Sequence, residues 1–378
     1  MEKEINKYLL KIDKRICELL ELDERYDLML GYGGIVLYYF YLSRHTGQKR
    51  FHKTAMRYLE MILDNIEKIK GDSVCEGLTG IAWLIDICGK EGFIHFEDSD
   101  SLIQQFKPLL INGFYQKVNN FNFDFLYGST GIACFFLQLS NSDVLQEELG
   151  SVFLELLSKN SQTFEEQVYY ESWDFQEASP LIGVFDTGVA HGNTSIIYIL
   201  NAMVNSGKWG KRAEELLSAL LTSYNHFFKK PGENGFFFPN SFNISEADKF
   251  PISRMGWCYG DLTNAVVIKS VVKQRKFVGF KRWIDEVLIN ANNLKSFNDQ
   301  PGLCHGSASC AHLFNRIYQI TNNNSFKLAS YDYVNEIIRN DQKLGDYSFL
   351  HGCSGVGLTL LGILNDNCRG WEKIILTN

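Results

Sequence analysis

Long apolar runs are missing from this chain of 378 residues. No stretch reaches the roughly 18 consecutive apolar residues that a membrane-spanning helix requires. The first residues, Met1-Glu2-Lys3-Glu4-Ile5, are mostly polar and show no apolar signal segment followed by a cleavage site. We therefore expect a cytoplasmic protein, and we leave open its peripheral attachment to a membrane through a membrane-bound partner.

A basic stripe and a disulfide framework are missing as well. The formal net charge is -7 and is spread along the chain, which argues against nucleic acid as the main partner. The nine cysteines are an odd number and lack the dense spacing of a small secreted domain. Most lie in apolar helical patterns, where a thiol behaves as a small apolar group, and this indicates a reducing compartment.

What the chain does contain is a repeated unit. A turn of small residues followed at once by an apolar segment occurs seven times, a periodicity typical of repeat folds. The spacing between successive turns, 46 to 68 residues, is the size of a helical hairpin. The turns begin at Gly31, Gly77, Gly128, Gly192, Gly260, Gly306 and Gly352.

The segments between the repeats have amphipathic, charged patterns typical of surface helices. They include 55–70, 144–157, 211–228 and 332–339. Inner apolar helices alternating with outer amphipathic ones predict an all-α fold, an α/α toroid (double α-barrel) of seven helical-hairpin repeats. We expect one domain over residues 1–378.

The two longest intervals between repeat turns, before repeats four and five, contain segments without a helical pattern. The segments 167–174 and 235–239 are rich in aromatic residues and predict short strands or loops. Because they precede His191 and Arg254, we expect them to overhang the rim that carries these residues. A mobile lid and a packed filler between enlarged repeats are both compatible with the sequence.

The repeat register places reactive side chains at equivalent positions, which should line one rim. Six of the seven residues directly before the first glycines carry a polar group, which is unusual at the start of a buried helix. These residues are Leu30, Glu76, Tyr127, His191, Tyr259, His305 and His351. The residues one position earlier are Met29, Cys75, Leu126, Ala190, Cys258, Cys304 and Leu350.

Repeats five and six bring two thiols and an imidazole into this register. Cys258, Cys304 and His305 are expected to bind one zinc ion, because thiolate and imidazole ligands favour zinc over magnesium or calcium. Three protein ligands leave the fourth tetrahedral position for water or a substrate thiolate, as in catalytic sites. A structural zinc site would need a fourth ligand, for which His351 is available. Cys75 shares the register in repeat two and is interpreted as a core thiol.

These motifs together resemble the lanthionine synthetase C-like family, which contains the lantibiotic cyclases. The resemblance rests on Trp257-Cys258-Tyr259-Gly260 and Cys304-His305-Gly306, with 123–128 and 190–192 before them, and it covers essentially the whole chain. It implies a zinc site of the Cys/Cys/His type and the toroid fold. It also implies catalytic roles for His191, Asp124, Arg254 and Tyr259. Thr263 and Ser309 stand where the family often has a second glycine.

The reaction implied by the resemblance is an intramolecular Michael addition. A cysteine of a dehydrated precursor peptide adds to dehydroalanine or dehydrobutyrine and forms a lanthionine or methyllanthionine ring. The addition needs a thiolate near pH 7, and a free thiol with a pKa of about 8.5 supplies little of it. An open zinc position would bind the substrate sulfur and lower its pKa.

Each catalytic assignment has a structural alternative. His191 is the best general acid or base by type and place, although a single histidine is often structural. Arg254 is a candidate for stabilising the enolate oxygen, or it forms a surface ion pair. Asp124 either orients His191 or Arg254 or caps a helix. Tyr259 adjoins a metal ligand and is expected to support it.

Other functions remain open from the sequence. Zinc-dependent prenylation of a thiol is one, although such sites usually include a carboxylate ligand. A glycan-processing barrel would need a pair of carboxylates at the rim, and none stands out. The alternative to an enzyme is a binding protein of the same fold, which contains zinc and binds thiols or glutathione without cyclising them. For a cyclase, a dehydratase and a membrane transporter are expected as further members of a biosynthetic complex.

Overall fold

The computed structural model describes residues 1–19, 24–139, 144–246, 253–274, 278–294 and 300–378. The chain divides into two compact units, one formed by Met1–Leu109 with Ser296–Asn378 and the other by Leu110–Lys295. The helices, in chain order, are α1 (Glu2–Leu19), α2 (Tyr32–Thr46), α3 (Lys49–Asp64), α4 (Leu78–Lys90), α5 (Phe96–Asn119), α6 (Ser129–Gln138), α7 (Val144–Lys159), α8 (Asn193–Ser206), α9 (Gly210–Phe227), α10 (Asp261–Gln274), α11 (Val278–Leu294), α12 (Ser307–Thr321), α13 (Asn324–Arg339) and α14 (Cys353–Leu364).

The even-numbered helices are the inner helices that the repeats predicted. Each begins at the residue directly after the first glycine of a repeat turn. In the first unit, α2, α4 and α14 are buried over most of their length, as their largely apolar sequences require. None of the described helices has the combination of length and apolar character needed to cross a membrane.

The outer helices α3, α7, α9, α11 and α13 are amphipathic and each packs against the inner helix directly before it in the chain, whereas α1 packs against α14. The predicted bounds are close for α7 and α9 and wrong for α3 and α13. Helix α3 begins six residues before the predicted start, at Lys49, and ends at Asp64 ahead of a short 3₁₀ turn. Helix α13 is twice the predicted length, because the Asn323 side chain caps its first turn by accepting the Ser325 N–H at 3.0 Å.

The strands lie in the second unit and form three antiparallel pairs among the described residues. They are β1 (Gln162–Phe164), β2 (Gln167–Tyr169), β3 (Trp173–Asp174), β4 (Ser179–Pro180), β5 (Val184–Asp186) and β6 (Ser241–Asn243). The predicted segment 167–174 contains β2 and β3, and 235–239 is a loop. The paired residues Phe185 of β5 and Phe242 of β6 pack against each other and against Phe227 of α9, with ring centroids 5.3 to 5.9 Å apart. This packing supports the interpretation of the insertion as a filler.

Backbone hydrogen bonds join residues of equal repeat register within each unit. Each bond runs from the N–H of a residue two positions before a first glycine to the carbonyl of its counterpart in a neighbouring repeat. In the first unit these bonds run from Cys304 to Leu350 (2.8 Å), from Leu350 to Met29 (3.0 Å) and from Met29 to Cys75 (3.3 Å). In the second unit they run from Leu126 to Ala190 (3.3 Å) and from Ala190 to Cys258 (3.5 Å). The prediction that equivalent positions share a rim is confirmed inside each unit.

Gly260 differs from the other first glycines because its backbone is left-handed, with φ at +98°. A Cβ atom here would overlap the carbonyl oxygen of Arg254. Gly260→Ala is therefore expected to lower the free energy of unfolding by about 3 kcal/mol, measured by denaturant titration. Gly279→Ala is the matched control, because Gly279 lies in α11 with open space around it. That change should leave stability equal or raised by up to about 1 kcal/mol, and an equal loss in both variants would contradict the argument.

Candidate active site and metal centre

Two cysteines and a histidine form the metal-ligand cluster that the sequence predicted. One ligand atom each from Cys258, Cys304 and His305 lies within 4.8 Å of the others. Two thiols and an imidazole are a donor set that fits zinc in kind. Cys258 is buried, whereas Cys304 and His305 are partly exposed. Two of the three candidate ligands are therefore in reach of solvent.

His351, the predicted fourth ligand of a structural zinc, is not a member of this cluster among the described residues. Its ring instead packs edge-on against the His305 ring, with centroids 5.9 Å apart. The arrangement favours three protein ligands over four, which is the pattern of catalytic zinc sites. Cys75 is buried, as expected for a core thiol.

Asp124 and His191 form a hydrogen-bonded pair although 67 residues separate them. The Asp124 Oδ2 atom lies 2.7 Å from His191 Nδ1, so the carboxylate accepts a hydrogen bond from the Nδ1–H group and fixes the orientation of the ring. The other carboxylate oxygen accepts the Tyr127 N–H at 2.7 Å. Asp27, at the same register in the first repeat, accepts the Leu30 N–H in the same way. Asp124 thus serves as a turn cap and as the partner of His191.

Two opposing effects act on the ionisation of His191. Burial alone would lower its pKa, but the charge and hydrogen bond of Asp124, together with the charges of Asp186 and Cys258, raise the pKa of His191 above its ordinary value. His191 is also near the predicted metal site, because Ala190 donates its N–H to the Cys258 carbonyl. A histidine whose charged form is favoured in this way can act as a general acid.

Arg254 and Tyr259 lie together in the loop before α10. The Arg254 guanidinium lies over the Tyr259 ring, 5.6 Å from its centroid, and the Tyr259 ring is 6.2 Å from that of His191. A cation and a phenol are thus available as donors beside the imidazole.

Two features of this region were not found from the sequence. Tyr127 stacks parallel to His191 with centroids 6.2 Å apart, and Phe175 from the β3–β4 hairpin meets His191 edge-on at 5.8 Å. The insertion therefore reaches the predicted rim residue, as expected from its place in the chain. Nothing in the sequence around Phe175 identifies this contact, because it depends on how the hairpin folds back.

Asp186 is the second missed feature, and a signal for it was present. It lies six residues before Gly192, as Arg254 lies six residues before Gly260. Burial raises the pKa of Asp186 to about 6, while the charge of His191 opposes this shift. Two carboxyl groups therefore raise the pKa of His191: Asp124, which is hydrogen-bonded to its ring, and Asp186, at the end of β5.

Comparisons with known proteins agree with this fold. A family model described as lanthionine synthetase C-like protein matches residues 23–376. A solved structure titled nisin cyclase matches with a TM-score of 0.79 and 18% sequence identity, covering 99% of this chain and 97% of that chain. At this identity the likeness shows the fold, and it confirms the predicted α/α toroid. A search of curated protein sequences finds no match. Because the family model spans nearly the entire sequence, the chain belongs to the lanthionine synthetase C-like family.

Proposed function

We propose that this protein is a zinc-dependent lanthionine synthetase that acts as one cyclase domain over residues 1–378. Its reaction is the intramolecular Michael addition of a precursor-peptide cysteine to dehydroalanine or dehydrobutyrine. The observation that carries the proposal is the cluster of buried Cys258 with partly exposed Cys304 and His305, together with the Asp124–His191 pair near Cys258. Family membership and the fold likeness to a protein titled nisin cyclase support it.

Cys258, Cys304 and His305 are the residues that would hold the zinc ion. When bound there, zinc would supply a site for the substrate sulfur and lower the pKa of that thiol. The addition forms a carbon–sulfur bond at the β-carbon and moves the electron pair of the double bond towards the carbonyl oxygen. Arg254 and Tyr259 are assigned to stabilise the resulting negative charge, as donors aimed at an oxyanion do.

His191 is assigned to protonate the α-carbon and complete the ring. Its Nδ1 atom is engaged by Asp124, which leaves Nε2 to exchange a proton with the substrate. The thiol loses one proton and the α-carbon gains one, so the product is an isomer of the substrate. Asp124 acts through His191 by holding its ring and favouring its charged form.

The substrate is proposed to be a dehydrated, ribosomally made precursor peptide, and the product a lantibiotic. A dehydratase and a membrane transporter are proposed as neighbours in the same biosynthetic complex, because the one supplies the dehydro residues and the other removes the product. Nucleic acid has no place in this scheme. The expected location is the cytoplasm, with any membrane attachment made through those partners.

Counting free thiols tests the proposal directly, since cyclisation leaves the peptide mass unchanged. Incubation with a peptide that contains one dehydroalanine and one cysteine should remove its alkylatable thiol, as read by mass spectrometry after alkylation. Protein stripped of metal by a chelator is the control and should leave the thiol intact, with activity restored by added zinc. If zinc-loaded protein binds thiols or glutathione but never consumes the peptide thiol, the alternative of a thiol-binding protein replaces the cyclase.

A further inference from the structure

The tip of the β3–β4 hairpin places a partly exposed aromatic ring against His191. Phe175 is 51% exposed, yet its ring meets the His191 ring edge-on with centroids 5.8 Å apart. The Phe175 ring also meets the Tyr127 ring edge-on with centroids 5.2 Å apart, so Phe175 and Tyr127 both pack against the imidazole and against each other. One part of Phe175 therefore contacts the assigned acid, and the rest faces solvent.

Hydrogen bonds fix the position of this tip. The Asp174 carboxylate accepts the N–H groups of Gln176 and Glu177 at 2.8 and 3.2 Å, which closes the turn. At the far end of the hairpin, the Leu181 N–H donates to the Ser172 carbonyl at 2.8 Å. The placement of the phenyl ring over the imidazole is thus built into the hairpin.

We propose that Phe175 determines peptide specificity by binding an apolar side chain next to the dehydro residue of the substrate. This inference rests on the proposed cyclase function. An acceptor α-carbon within reach of His191 brings its flanking residues beside the phenyl ring, because the two rings are in contact. An apolar flanking side chain would cover the exposed part of Phe175 and leave water, whereas glycine has no side chain to do so.

The test crosses two enzymes with two peptides. One synthetic peptide carries leucine on both sides of its dehydroalanine, the other carries glycine there, and each has one cysteine. Phe175→Ala should raise the KM for the leucine peptide about tenfold, equivalent to about 1.4 kcal/mol, and change that for the glycine peptide by less than about twofold. The kcat values should stay near wild type, and Phe175→Leu should restore most of the preference.

Ile182→Ala is the matched control, since Ile182 is 91% exposed in the same insertion. It should leave both KM values unchanged. If Ile182→Ala raises the KM for the leucine peptide as much as Phe175→Ala does, any exposed apolar side chain of the insertion has this effect and the proposal is overturned. It is also overturned if Phe175→Ala lowers kcat for both peptides alike, because Phe175 would then act by orienting His191.

Binding without chemistry separates this inference from the cyclase proposal. Versions of both peptides with serine in place of cysteine cannot cyclise, and their Kd values can be measured by calorimetry. A leucine preference of about tenfold that Phe175→Ala removes supports the inference even if thiol counting shows no ring closure. Ring closure by wild type with no such preference leaves the cyclase in place and rejects Phe175 as its specificity residue.

Discussion

Cys258→Ala is expected to remove zinc from the protein and to slow ring closure by about 10³-fold. A substrate thiol with a pKa of about 8.5 is only about 3% ionised at pH 7, so loss of thiol activation costs about 30-fold. Loss of the position of the sulfur relative to the double bond adds a further factor of about 10² or less. Elemental analysis of the purified variant should show far less than one zinc per chain.

The matched control for this change is Cys75→Ala. Cys75 is buried and occupies the same repeat register as Cys258, but it is not part of the ligand cluster. Its removal should cost about 1 kcal/mol of stability through lost packing and leave zinc content and rate at wild-type values. Stoichiometric zinc in the Cys258→Ala protein, or loss of zinc in both variants, would show that the assigned ligands are wrong.

The repeats are the part of the fold that the sequence determines locally. A glycine followed by an apolar run marks each inner helix, because close backbone approach demands a small residue and burial demands apolar ones. The same marker locates the candidate metal ligands: Cys258 and Cys304 have equal register, which predicted that residues 46 apart in sequence would meet. The outer helices lack such a marker. The start of α13 is set by the Asn323 cap, which a search for apolar periodicity does not detect, so only half of this helix was predicted.

The contacts around His191 could be predicted only in part. Asp124 was a candidate partner or a cap, and the sequence left both open because one carboxylate can fill either role; the structure shows both hydrogen bonds. Asp186 could have been found, since it shares the register of Arg254. Phe175 could not, because two-residue strands have no periodicity and the fold of the hairpin depends on tertiary contacts.

His191→Asn is expected to slow ring closure by about 10² to 10⁴-fold while zinc content stays at the wild-type level. Asparagine keeps a polar side chain of similar reach but cannot carry the proton to the α-carbon. The measurement is the alkylatable-thiol count of a dehydrated peptide over time, together with elemental analysis. Undiminished closure of the correct ring would remove His191 from the reaction, whereas loss of zinc along with activity would make the effect structural.

The role of Asp124 in the same step can be separated from its role as a turn cap by comparison with Asp27. Asp27 makes the same bond to a backbone N–H in the first repeat, at 2.7 Å, so Asp27→Asn and Asp124→Asn should cost similar stability. Only Asp124→Asn should change the pH profile. In the proposed reaction His191 acts while protonated, and its raised pKa extends that form to higher pH. Loss of the Asp124 charge removes a cause of this rise, so the pKa of His191 falls. The alkaline decline in rate should therefore move to lower pH in Asp124→Asn, and an unmoved decline would mean that Asp124 acts on the turn alone.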